Sequence, residues 1–280
     1  MERTTLENEM LEQQRKKEGG FSEVIKKKAL PYLGILALLG IWEIMVRIFD
    51  LPSYLLPSPS EIVLEMIRKF QDILEHSWVT AYEMLMGYFL AIVIAIPMAV
   101  GITIWPNFDR FITPILLFFQ TVPKISLAPL FLVWFGVGIL PKVLVAFLIC
   151  FFPIIIDTAV GLRSIPLEMI DLARSMGATR SQIFTRFRLP TSLPYLFSGL
   201  KVASTLAVVG AVVGEFVGAD KGLGYLLLVA NSNLLTALMF GTIFALTAQG
   251  LILFYLVKVL ENLLIPWHIT VRSGQEHGTM

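Results

Sequence analysis

Ionisable side chains inside long apolar runs are the residues whose position most needs a reason. Lys124 stands between Pro123 and Pro129, with Gln120 before it and Ser126 after it. Asp157 and Glu215 lie in later apolar runs. A charge facing lipid costs roughly 3 kcal/mol or more, so such a group faces a partner or a polar path. Lys124 then has two chemistries open to it. It attracts an anionic or polar solute where the proline-broken helix lines a water-filled path, or it pairs with Asp157 or Glu215. Phe118 and Phe119 precede the break and offer rings for a constriction. Glu215 lines the path or a gate, or is a bland carboxylate at a helix end. Asp157 reads more as a packing or pairing residue, and Glu83, opening an apolar run, as interfacial.

Other chemistries find no support. There is no H-E-x-x-H and no G-x-S-x-G, and His76, His268 and His277 fall outside the apolar runs. No catalytic or metal-ligating constellation is expected. The single cysteine, Cys150, lies in an apolar run, so no internal disulfide can form. No G-x-x-x-x-G-K-[ST] loop occurs, so this chain does not hydrolyse ATP unaided.

The other stretch that demands a role is SIPLEMIDLARSMGATRSQIFTRFRLPTSLP, within residues 163–194. It is polar, helical in period and basic, with Arg163 at its edge and Arg174, Arg180, Arg186 and Arg188 within. Pro166 suits a helix first turn. Ile165, Met169, Leu172, Ala173 and Met176 recur at helical spacing, with Glu168, Asp171, Arg174 and Ser175 opposite. Gly177 suits a left-handed stop. A second short helix over 181–187 is expected to end before Leu189-Pro190. One reading is an interfacial loop that anchors topology. The other is a docking helix, because so short an element cannot bury its apolar ridge in its own loop.

The elements that hold these residues follow from composition. Of 280 residues, 56% are hydrophobic and only 15% charged, with mean hydropathy +0.76. A soluble domain is nearer a quarter charged, so the chain is an all-α polytopic membrane protein. Six spans are expected, over 30–49, 82–104, 111–135, 141–160, 196–217 and 237–264. The third, rich in proline, is open to division into two half-helices. An amphipathic helix capped by Ser60 is expected over 61–75. Glu43 and Arg47, four apart, can pair. Gly210 and Gly214 form a G-x-x-x-G that permits close helix approach, read as a contact across a dimer axis. Gly218, Gly222 and Gly224 mark an outer loop followed by a short apolar helix. The polar tail 1–29 lacks the pattern of a removed signal peptide.

Six spans put both termini on one side. That side collects Arg3, Arg15, Lys16, Lys17, Lys26, Lys27, Lys28, Arg110, the loop arginines and Arg272. The other holds only Arg68, Lys69, Lys142 and Lys221. The positive-inside rule places both termini and the central loop in the cytoplasm, and it already explains the basic tail without nucleic acid. The organisation expected is a cytoplasmic tail (1–29), a transmembrane domain (30–265) and a second cytoplasmic tail (266–280).

The central loop resembles the EAA loop of permease subunits of binding-protein-dependent ABC importers. That pattern is E-A-A, three residues, G, nine residues, I-x-L-P. Here it reads Asp171-Leu172-Ala173, Gly177, then Phe187-Arg188-Leu189-Pro190, with Asp for Glu, Leu for Ala and Phe for Ile. The likeness runs from about residue 80 to 265. APLFLVWFGVG (128–138) and GEFVGADKGLG (214–224) are similar to the taurine, alkanesulfonate and nitrate branch. QTVPKISLAPLFLVWFGVGILPK and FFPIIIDT are also similar to permeases for thiamine-pyrimidine or riboflavin uptake. The resemblance implies the type I ABC importer permease fold in a bacterial inner membrane. It also implies a second permease copy, two ATPase subunits that bind ATP and Mg, and a periplasmic or lipid-anchored solute-binding protein. Glu168, Asp171, Leu172, Ala173, Met176, Gly177, Ala178, Leu189 and Pro190 would form the ATPase-coupling surface. The chain itself would bind no cofactor. The rival class is an ion-coupled secondary transporter, which would show matching repeat halves and a midplane carboxylate relay.

Overall fold

A computed structural model describes residues 33–267, so the tail at 1–29 and most of 266–280 lie outside the described residues. Every regular element among the described residues is helical. The first, α1, covers 33–48. Near its end Glu43 pairs with Arg47 as the spacing predicts, with the Arg47 Nε–H donating at 2.8 Å. Glu43 also accepts from the Ser60 backbone N–H at 3.0 Å, which ties α1 to the start of α2 (Pro59–Arg68).

The cap of α2 is Ser58 rather than Ser60: Ser58 and Glu61 form a reciprocal capping box, with Pro59 in the first turn. The helix also ends at Arg68, short of the expected 75. The chain bends at Lys69 and enters α3 (Phe70–Ile104), whose 35 residues extend about 52 Å. That exceeds a hydrocarbon core of about 30 Å. The first turns of α3 carry Glu75 and His76, which a bilayer would reject. Both find partners on the α9–α10 connection instead, so the helix starts well before the expected residue 82.

The expected third span, 111–135, is not one crossing helix. It divides into α4 (Pro106–Thr121), a 3₁₀ turn (Lys124–Leu127) and α5 (Ala128–Phe135), bent by 88°. Pro123 forces the break by holding Val122 in extended backbone, φ −66° and ψ 130°. Among the described residues, four helical segments are long and apolar enough to cross a membrane: α3, α6 (Ile139–Arg163), the continuous run 180–218, and α11 (Thr236–Leu264). The bent pair α4–α5 makes a fifth if its halves count together.

The run 180–218 corrects a second expectation. Between α8 (Arg180–Ile183) and α9 (Leu189–Gly218) the helix does not stop but widens into a π turn, Phe184–Arg188. There the Leu189 N–H donates to the Phe184 carbonyl, five residues back. Pro190 has no N–H, and its ring would crowd a carbonyl four residues earlier, so widening the turn is the remedy short of breaking the helix.

Small residues set the core. Ala91, Ala95 and Ala99 recur every four residues along α3, and Ala203, Ala207 and Ala211 do so along α9; all are fully buried. Gly210 and Gly214 face α6 of the same chain rather than a dimer axis. A Cβ on Gly210 would lie 2.5 Å from the Ala146 Cα, and one on Gly214 would lie 2.7 Å from the Lys142 Cα. A Cβ on Gly87 of α3 would meet the Ala146 Cβ at 2.5 Å. Three helices therefore approach to backbone contact around Ala146. The Tyr88 hydroxyl donates to the Leu200 carbonyl at 3.0 Å, and Lys201 pairs with Glu261 at 2.7 Å, linking α9 to α3 and α11.

Gly210→Ala is expected to part α6 from α9 and lower the melting temperature of the detergent-solubilised chain, at a cost of roughly 1–3 kcal/mol. Gly34→Ala, whose Cβ would meet nothing within 4 Å, should not lower it.

Candidate functional site

The central loop is built on a small core of its own. In α7 (Leu167–Ser175), Ile170 and Ala173 turn inward against Ile165 and Ile183. The expected single ridge is thereby split. Ile165 and Ala173 are buried, while Met169, Leu172 and Met176 are exposed, as is Leu167 at the first turn, with Leu167 72% and Met176 81% exposed. Helical spacing alone could not separate the two faces, because the partner that selects the inner one, Ile183, comes from α8. Glu168 and Asp171 are exposed beside the apolar group, and Asp171 accepts from Arg174 at 3.2 Å.

Gly177 ends α7 as the sequence predicts, with φ +83°. The Ala178 N–H donates to the Ala173 carbonyl at 3.0 Å, and the Gly177 N–H donates to the Arg174 carbonyl at 2.9 Å. This pairing satisfies the last carbonyls of the helix and needs left-handed backbone at the glycine. Thr179 and Gln182 then form a capping box that starts α8. Two loop arginines fix the turn to the membrane helices. Arg163 pairs with Asp109 of α4 at 2.9 Å, and Arg188 donates to the Thr103 carbonyl of α3 at 3.4 Å. Leu189 and Pro190 open α9, so they belong to the transmembrane rod rather than to the exposed turn.

Of the residues predicted to lie along a path, the break between α4 and α5 brings three together. Lys124 Nζ donates to the Gln120 carbonyl at 3.0 Å and sits 4.7 Å from the Phe152 ring centroid. Gln120 and Ser126 are exposed beside it. The partners of Lys124 are thus a carbonyl and a ring, not Asp157 or Glu215.

Glu215 lies elsewhere, buried to 1% exposure. It accepts from the Thr80 hydroxyl at 2.7 Å and from the Gly224 N–H. Beside it is a pair that was not foreseen. Glu83 is fully buried, not interfacial, and Lys142 Nζ donates to it at 2.8 Å. The Glu83 and Glu215 carboxyls adjoin. The signal for Glu83 was present in the spacing of His76, Thr80, Glu83 and Gly87, which share one face of α3. Lys142, directly after Pro141 at the head of α6, gave no comparable pattern. Above this cluster Lys221 pairs with Glu75 at 2.9 Å, and that carboxylate holds the ammonium above its ordinary pKa. The pair is solvent-exposed, so it adds little stability.

The bent α4–α5 pair, the packed trio α3, α6 and α9, and the short helix turn between α6 and α9 define a transport permease fold. The chain superposes on the inward-facing MetNI methionine ABC transporter with TM-score 0.57 at 22% identity, covering 71% of this chain and 97% of that one. Residues 91–267 match the family described as binding-protein-dependent transport system inner membrane component, and the chain belongs to it. Among its relatives, the formylaminopyrimidine transport permease protein ThiX of Halalkalibacterium halodurans is 40% identical over 242 residues, 85% of this chain and 95% of that protein. The riboflavin transport system permease protein RibX of Chloroflexus aurantiacus is 37% identical over 243 residues, 85% and 91% of the two chains. The taurine transport system permease protein TauC of Escherichia coli is 26% identical over 244 residues, 84% and 89%.

Lys142→Met would leave Glu83 buried without its cation, at a cost on the order of 3–5 kcal/mol. A fall in melting temperature is expected, with most of it restored in the double variant Glu83→Gln, Lys142→Met.

Proposed function

We propose that this chain forms the solute path of an ABC importer and that α7 is the element gripped by a cytoplasmic ATPase subunit. The observation that carries this reading is the exposed apolar group of Met169, Leu172 and Met176, with Leu167 also exposed at the start of the helix. These four apolar side chains stand outward on a helix whose other face is already anchored. An amphipathic helix presenting such a face fits a groove in a soluble partner. Two ATPase subunits would bind ATP and Mg and act on two copies of this chain. Both termini and the α7 turn would then lie in the cytoplasm, in agreement with the distribution of basic residues. ATP-driven closure of the partners would displace α7, bias the permease between inward- and outward-facing states, and release solute delivered by an external binding protein.

The path candidates are Gln120, Lys124 and Ser126 at the α4–α5 break. A cation beside a phenylalanine face favours an anionic or planar heteroaromatic solute. The relatives that carry formylaminopyrimidine and riboflavin support the heteroaromatic alternative. Glu215 is better read as a structural residue of the outer cluster, since its oxygens are engaged by Thr80 and Gly224.

Purification of the tagged chain from its native cells in mild detergent tests the assembly. A P-loop ATPase should co-purify, and Met176→Asp should lose it by tenfold or more while the permease still inserts at normal level. Recovery of the chain without any ATPase, with solute uptake intact after reconstitution, would overturn the importer reading. Lys124→Ala should lower solute uptake without changing ATPase recovery; unchanged uptake would remove Lys124 from the path.

A further inference from the structure

The start of α10 (Leu223–Ser232) has backbone N–H groups that no helical carbonyl can accept. Three successive ones are taken by side chains from other elements. The Gly222 N–H donates to His76 Nδ1 at 3.0 Å, the Leu223 N–H to Thr80 Oγ1 at 2.7 Å, and the Gly224 N–H to Glu215 Oε2. His76 and Thr80 are one turn apart on α3, and the His76 ring packs against Tyr225 with centroids 5.9 Å apart. Gly222 has φ +119°, and a Cβ on it would fall on the Glu215 carboxyl. The turn is therefore seated closely on α3 and α9 through three adjacent points.

The three points differ in chemistry. Thr80 accepts at any pH. His76 accepts only through the lone pair of Nδ1, so this bond requires the neutral ring with its hydrogen on Nε2. A proton on Nδ1 turns the acceptor into a donor facing another donor. It also sets a positive charge against the N-terminal end of α10, where the helix dipole disfavours it. Asp72 and Glu75 on α3, Lys221 and Asp220 in the turn, Tyr225 on α10 and Glu215 behind Thr80 are the charged or titratable groups around this point.

We propose that the 219–222 turn is a proton-sensitive latch: neutral His76 holds it against α3, and protonation of His76 releases it. Thr80 and Glu215 keep the start of α10 in place, so release loosens the turn without unfolding the helix. That the latch faces the outside of the membrane rests on the orientation proposed above; the latch itself does not.

Backbone hydrogen exchange of the 219–226 segment, measured on the full chain in lipid nanodiscs at about pH 7.5 and about pH 5.5, tests it. These values bracket the ordinary histidine range, and rates are corrected for intrinsic exchange. In the wild type, protection should fall roughly fivefold to tenfold at the lower pH, the loss of about one hydrogen bond. His76→Asn places a non-titrating Oδ1 near the Nδ1 position and should keep protection equal at both values. His76→Ala should be poorly protected at both. Wild-type protection that is unchanged between the two values, or an equal fall in His76→Asn, would overturn the proposal.

Discussion

Close backbone contact between α6 and its neighbours is the constraint on which the other features rest. Lipid tails are as apolar as leucine, so helices gain little by hiding apolar side chains from one another. What holds them is van der Waals contact at short range and a few polar ties. Gly87, Gly210 and Gly214 remove the side chains that would keep α3 and α9 away from the Ala146 region. Only because these helices come so near can Glu83 on α3 reach Lys142 on α6, and Thr80 on α3 reach Glu215 on α9. The polar cluster is a consequence of the glycine contacts, and in turn it fixes their register.

The two ends of α9 carry different features. One end continues without a break from α8, just after the Gly177 turn; the other carries Glu215 and leads to the start of α10. On the proposed coupling role of α7, a displacement there would be delivered to a single rod that reaches the Glu215 cluster. The break between α4 and α5 lies against this packed body through Lys124 and Phe152. A bent, exposed segment beside a rigid trio is a physically sensible place for a passage, since its backbone is already freed from regular helix.

Much of this was legible in the residues. Local signals served best: the left-handed glycine at 177, the Glu43–Arg47 pair and the proline break near 123 each depend on neighbours in sequence. What escaped depends on distance. Glu83 and Lys142 are 59 positions apart, and each alone resembles an interfacial charge. The G-x-x-x-G of α9 announced a close contact but not its partner. The extra length of α3 was hidden because Glu75 and His76 are polar, and their partners arrive from beyond residue 220. The π turn escaped because Leu189-Pro190 reads locally as a stop, and widening is an equally good answer to the same clash.

That π turn separates two design problems that an ordinary helix would bind together. A regular helix advances about 100° per residue, so the face shown at one end dictates the face shown at the other. One wider turn resets this phase. The surface that α8 contributes to the inner loop core and the small-residue stripe that α9 lays on α6 are thus set independently. Changes in the loop that suit a different partner can accumulate without rotating the transmembrane stripe out of its seat.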